Sequence, residues 1–136
     1  MILTTARLDL RELTDADLPA LRRILHDPLA MVAYEGAFDD DESLAWLRRM
    51  QRRYREDGCG LWAVGLRETG EMIGQCGITR QFIDRDEVFE VGYLFARAHW
   101  HRGYAVEAAA ACRDWAFETL PSMRCTPRCA RRTSPR

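Results

Sequence analysis

The sequence contains no lysine: all 20 of its basic residues are arginine, set against 21 acids for a formal net charge of −1. So close a balance gives no bulk field to draw the chain to nucleic acid or to an anionic membrane. No run of 18 or more apolar residues occurs, which excludes a membrane-spanning helix. The start of the chain lacks a charged segment followed by an apolar core, so nothing reads as a secretory signal and a cytoplasmic location is the expectation. The five cysteines (Cys59, Cys76, Cys112, Cys125, Cys129) are odd in number and irregularly spaced. They read as reduced thiols, not as a disulfide frame. There is no internal repeat.

What remains is a globular composition, 47% hydrophobic and 30% charged, in 136 residues, enough for one domain. The charge is unevenly placed. Residues 1–120 carry all 21 acids and 15 arginines, a net −6, while residues 121–136 carry five arginines and no acid, a net +5.

Residues 7–13 alternate apolar and polar, the period of a strand. Thr14 can cap the helix that follows, with Asp15 and Asp17 in its first turn and Leu18, Leu21, Ile24 and Leu25 at helical spacing. Asp27-Pro28 breaks that helix. The acidic run from Asp39 to Glu42 suits the start of a second helix, whose apolar face is expected at Leu44, Leu47, Met50 and Tyr54 with Trp46 beside it; Asp57-Gly58 ends it. Strands follow at 61–66 and 72–79, joined by a Glu68-Thr69-Gly70-Glu71 turn, then a turn at 84–86 and a strand at 87–95. A final helix runs from Tyr104 to about Leu120 with a stripe of small residues, Ala105, Ala108, Ala109, Cys112 and Ala116. The order β-α-α-β-β-β-α marks an α+β chain.

The segment from Glu87 to Leu120 carries the chemistry. A helix N-terminus offers unpaired N–H groups and a positive dipole end to a phosphate, and Gly103 with Ala105 would let a ligand approach the backbone closely. Alone, this Gly-x-Ala reads more readily as a plain tight turn than as a ligand site. In the strand before it, Phe89, Val91, Tyr93 and Phe95 point to one face and Val88, Glu90, Gly92 and Leu94 to the other. Burial in such a strand disfavours a charged carboxylate, so Glu90 suits a general base working near neutrality. The alternative is a Glu90 that faces solvent or pairs with an arginine. His99-x-His101 with Cys125 and Cys129 lacks a finger spacing, so no metal is expected. Cys112 reads as a packing thiol, and the arginines of the second helix as a solvated face.

The run Trp100-His101-Arg102-Gly103-Tyr104-Ala105-Val106-Glu107-Ala108 after Glu90-Val91-Gly92-Tyr93 resembles the acetyl-CoA motif of the GNAT superfamily of N-acetyltransferases. Within it, the resemblance is to the branch of the ribosomal-protein N-terminal acetyltransferases. Thr5-Ala6-Arg7-Leu8-Asp9-Leu10-Arg11, Thr14-Asp15-Ala16-Asp17 and Gly70-Glu71-Met72-Ile73-Gly74 resemble the same branch, so the likeness covers residues 3 to about 120. It implies a mixed, mainly antiparallel sheet flanked by helices. It also implies acetyl-CoA as cosubstrate, bound by the backbone of Val91, Gly92, Tyr93, Leu94 and Phe95 and by the loop of Trp100, His101, Arg102, Gly103, Tyr104 and Ala105. His101 stands where a glycine is common. Glu90 matches a position that often carries the base, giving acetyl transfer to an amine by direct attack. The second helix would flank the acceptor groove, which makes Tyr34, Phe38 and Trp46 candidates for shaping it; they read equally well as core residues.

The resemblance further implies a fifth strand, a helix and a hairpin after residue 120, the strand completing a V-shaped cofactor cleft. Residues 121–136, rich in Arg, Pro and Cys, encode none of these. They read as a disordered tail on an incomplete domain of residues 1–120, through a shifted reading frame near residue 120 or a C-terminal truncation. The open sheet edge this would leave is an association hazard, so homodimerisation stays open. A CoA-binding or dimerising module without turnover is the alternative function.

Overall fold

The computed structural model of the chain describes residues 1–32 and 36–120. Tyr34 and the segment 121–136, with Cys125 and Cys129, lie outside them, as does every expectation placed there. The described elements run β1 (Leu3–Thr4), β2 (Leu8–Arg11), α1 (Leu18–Leu25), α2 (Asp40–Asp57), β3 (Leu61–Leu66), β4 (Met72–Ile83), β5 (Asp86–Phe95) and α3 (Tyr104–Thr119). The five strands form one sheet in sequence order, every pair antiparallel. The α+β fold is as expected, with three differences at the strands. Strand β4 runs on to Ile83, past the expected end at Thr79. The 7–13 strand is shorter and folds back on an extra two-residue strand, β1. The mixed part of a family sheet is not among the described residues.

Local chemistry sets these elements. Asp39 caps α2 by accepting from the Glu42 N–H at 2.8 Å, while Glu42 Oε1 accepts from the Asp39 N–H at 3.0 Å, a reciprocal capping box. Gly58, at φ +74°, closes that helix in the left-handed region. Arg11, at the end of β2, forks onto Asp17 with N···O distances of 2.7 and 2.8 Å, which fixes the start of α1 against the sheet.

The sheet separates two cores. Leu8, Leu10, Trp62, Val64, Val91, Tyr93 and Phe95 face α3, where Ala108, Cys112 and Ala116 are fully buried. Trp115 of α3 meets Trp62 edge-on, centroids 4.8 Å apart. On the other face Leu61, Ala63 and Leu94 meet Leu21, Ile24 and Leu25 of α1 and Trp46, Leu47 and Met50 of α2. The α2 face is rotated from expectation: Leu44 is exposed and Trp46 is buried. The cause is polar as well as apolar, because the Trp46 indole donates to Gln75 Oε1 on β4 at 2.8 Å.

One close approach holds the β3–β4 pair. The Gly60 carbonyl lies over Gly77 and accepts from the Ile78 N–H at 3.2 Å. A Cβ at position 77 would lie 1.9 Å from that oxygen, whereas a Cβ at Gly65 would find nothing nearer than 3.6 Å. Gly77→Ala is therefore expected to destabilise the fold by about 2 kcal/mol or more, with Gly65→Ala within about 1 kcal/mol of wild type. Urea denaturation of the two variants checks the difference.

Candidate active site

Strand β5 is the edge of the described sheet, bonded to β4 and to no other strand among the described residues. In an antiparallel edge strand, alternate residues turn their N–H and C=O groups outward. The run Val91–Phe95 thus presents a backbone edge able to pair with an extended ligand. Val91, Tyr93 and Phe95 lie beneath α3 and line two adjoining clefts of about 600 and 590 Å³ between that helix and the strand. The first also takes Ala105, Val106 and Arg113, the second His99, Trp100, His101, Gly103 and Tyr104. Leu94 contributes only backbone here, its side chain being buried under α1 and α2.

The loop between β5 and α3 is tied down at its start. The Trp100 indole donates to the Phe95 carbonyl at 2.7 Å, satisfying the end of the strand. His101 takes φ +64° and Gly103 φ +82°. A left-handed conformation at a residue with a Cβ costs roughly 1–2 kcal/mol, which is the physical reason a glycine suits position 101. The Gly103 carbonyl accepts from the Glu107 N–H at 3.0 Å, so the N–H groups of the turn between them have no partner within the helix. Unpaired donors, a positive dipole end and a cleft at one place form an anion cradle. These residues fit the pyrophosphate of a CoA cosubstrate, and Ala105 keeps the approach open.

Glu90 is buried on the opposite face of β5, directly across the ladder from Thr79. The structure thus places the proposed base on the α1–α2 side of the strand and the cofactor cleft on the α3 side, with the strand edge between them. Phe38 and Trp46 lie on the Glu90 side, edge-on with centroids 5.7 Å apart. The described cysteines do not suit a covalent relay. Cys59, Cys76 and Cys112 are all buried. Burial pushes the Cys59 thiol up to about 12 and raises that of Cys76, whose sulfur lies 3.7 Å from Cys112 Sγ. No group of three metal-ligating side chains gathers among the described residues, and no described helix is long and apolar enough to cross a membrane.

The family profile described as the acetyltransferase (GNAT) domain matches residues 7–133. The chain belongs to the GNAT acetyltransferase family. It is similar to the uncharacterized protein YkkB of Bacillus subtilis, 43% identical over 116 residues that cover 85% of this chain and 67% of that protein. The uncharacterized N-acetyltransferase YoaA of the same organism is 26% identical over 121 residues, covering 88% and 68%. Among solved structures, an acetyltransferase from Agrobacterium tumefaciens superposes with a TM-score of 0.75 at 40% identity, covering 87% of this chain and 67% of that one. RimL, a ribosomal-protein alpha-N-acetyltransferase in complex with coenzyme A, shares the fold with a TM-score of 0.67 at 14% identity, covering 85% and 66%. Membership makes the chain an acyl-CoA-dependent acetyltransferase.

The GNAT cradle has a support that the sequence pattern did not expose as a site. Glu107, in the first turn of α3, accepts from the Thr5 hydroxyl at 2.5 Å, from the Arg7 N–H at 3.0 Å and from Arg7 Nε at 2.7 Å. The same Arg7 donates through Nη1 to the Arg102 carbonyl at 3.1 Å and lies 4.4 Å from the centroid of the Tyr104 ring. One arginine thus braces the loop, the helix start and the β1–β2 hairpin together. Thr5, Arg7 and Glu107 all stand inside motifs quoted above, but about 100 positions separate Glu107 from the other two, and no short-range pattern joins them. His99 is a further lining residue, its buried Nδ1 without a hydrogen-bond partner among the described residues.

Burial works to raise the Glu107 carboxyl, but the hydrogen bonds from Thr5 and Arg7 and the arginine's charge outweigh it and hold the group below its ordinary 4.5. A depressed carboxylate stabilises the fold fully above its unfolded value and loses that contribution as pH falls through the folded one. The gap in Tm between wild type and Glu107→Gln is therefore expected to be open at neutral pH and to narrow below about pH 4. Thermal melts across that range check it, and a gap that stays constant would contradict the strut.

Proposed function

We propose that this GNAT chain moves the acetyl group of acetyl-CoA to a primary amine by direct attack, with Glu90 as the base. The observation that carries the reading is the outer β5 edge, which pairs with no strand among the described residues and runs from the buried Glu90 into the cradle at the start of α3. The pantetheine amides would pair with the edge at Val91, Gly92, Tyr93, Leu94 and Phe95. The backbone from Trp100 to Ala105 would hold the pyrophosphate. The acetyl carbonyl would then lie along the strand, where outward N–H groups stabilise the oxyanion.

The amine nitrogen attacks the thioester carbon, the C–N bond forms, and the C–S bond breaks with its electron pair passing to sulfur. The proton lost by the amine goes to Glu90, directly or through one water. Buried thiols at Cys59, Cys76 and Cys112 support direct attack over an acetyl-cysteine intermediate. The three alanines that face the cleft from α3, Ala105, Ala109 and Ala110, leave room for an extended ligand beside Val91 and Tyr93.

Glu90→Gln is nearly isosteric and keeps the strand. It is expected to lower kcat by about 10²–10⁴-fold while leaving the affinity for CoA at the wild-type value. Thiol release with an acceptor panel, read beside calorimetric CoA titration, checks both. An unchanged kcat would remove Glu90 as the base. A CoA-dependent thermal shift with no turnover of any amine by the wild type would favour a binding module instead.

A further inference from the structure

The Glu90 face of the sheet carries a cleft of its own, of about 500 Å³, between α2 and β4. Met50 and Leu61 give it an apolar floor, and its polar groups are Arg49, Arg53, Thr79 and Gln81. Gln81 Nε2 donates to Thr79 Oγ1 at 3.1 Å, which leaves the threonine hydroxyl proton to donate elsewhere. Thr79 stands directly opposite Glu90 across the β4–β5 ladder, and side chains so paired lie about 5 Å apart at Cβ. The cleft therefore adjoins the proposed base.

Its charge is of the opposite sign to the rest of the domain. Residues 1–120 carry a net −6, yet no acid lines this cleft among the described residues. Three neighbouring arginines are engaged: Arg48 pairs with Asp15 at 2.6 Å, Arg52 with Glu56 at 3.8 Å and Arg80 with Asp57 at 3.0 Å. Arg49 makes no ion pair and no hydrogen bond among the described residues. A guanidinium left open beside a threonine hydroxyl and a carboxamide matches the fork of a carboxylate.

We infer that this cleft binds the carboxylate of the acceptor, so that the substrate is an amine bearing a carboxylate near its reacting nitrogen, such as an amino acid. The inference rests on the Glu90 reading, because Glu90 is what places the amine next to Thr79. The second helix, read from sequence as a solvated arginine face, then has one member turned to recognition.

The test uses matched pairs, an α-amino acid and its primary amide, as acceptors for the full chain. With wild type, kcat/KM for the acid is expected to exceed that for the amide by about tenfold or more, and the ratio to fall as salt is raised. Arg49→Gln brings the ratio close to one, whereas Arg55→Gln, on the exposed side of α2, leaves it as in wild type. Equal kcat/KM for acid and amide in wild type, or a ratio that Arg49→Gln does not change, overturns the inference. The ratio is measured in wild type whatever group acts as base, so loss of the Glu90 role and loss of the carboxylate site give different results. Equilibrium binding of the same pair in the presence of CoA gives a readout independent of turnover: equal affinities, or none, also overturn it.

Discussion

Strand β5 packs Val91, Tyr93 and Phe95 against the alanine stripe of α3, while Leu94 from the same run packs beneath α1 and α2. Its outer backbone edge pairs with no strand among the described residues. A strand that serves two cores cannot slip by one residue, because every apolar side chain would change face. The site inherits that rigidity. Glu90 is fixed on one side, the clefts under α3 on the other, and the free edge between them at a set position.

The helix that completes the cradle depends on small residues and on one ion pair. Ala108, Cys112 and Ala116 bring α3 close to the sheet, so that its first turn opens at the end of β5. Arg7 and Glu107 then lock that turn to the opening hairpin and, through the Arg102 carbonyl, to the loop. Packing sets the distance of the helix, and the strut sets its angle and the loop's path. The left-handed His101 is held between Trp100, bonded to Phe95, and Arg102, bonded to Arg7.

Much of this was legible in the residues because its causes are local. The alternation along β5 placed Phe89, Val91, Tyr93 and Phe95 on one face and Leu94 on the other, as found, and the acids before α2 and Gly58 after it marked both ends. The α3 stripe was equally plain. What failed to show had non-local causes. Strand β1 is two residues long and exists by pairing with β2. Trp46 turned inward, at the expense of Leu44, because a buried amide on β4 accepts its N–H. The Arg7–Glu107 strut joins residues about 100 positions apart. The inverted charge of the cleft beside Glu90 arises only when β4 and α2 meet. In each case one partner is visible in sequence and the pairing is made by the fold.

The central claim is that the open edge of β5 and the start of α3 together hold the cosubstrate. Residue-resolved amide hydrogen exchange with and without CoA tests it most directly. New protection is expected only at alternate residues of Val91–Phe95 and at the amides from Arg102 to Ala105, with β2 and β3 unchanged. Protection that spares β5 and the loop, or that spreads evenly over the sheet, would contradict it.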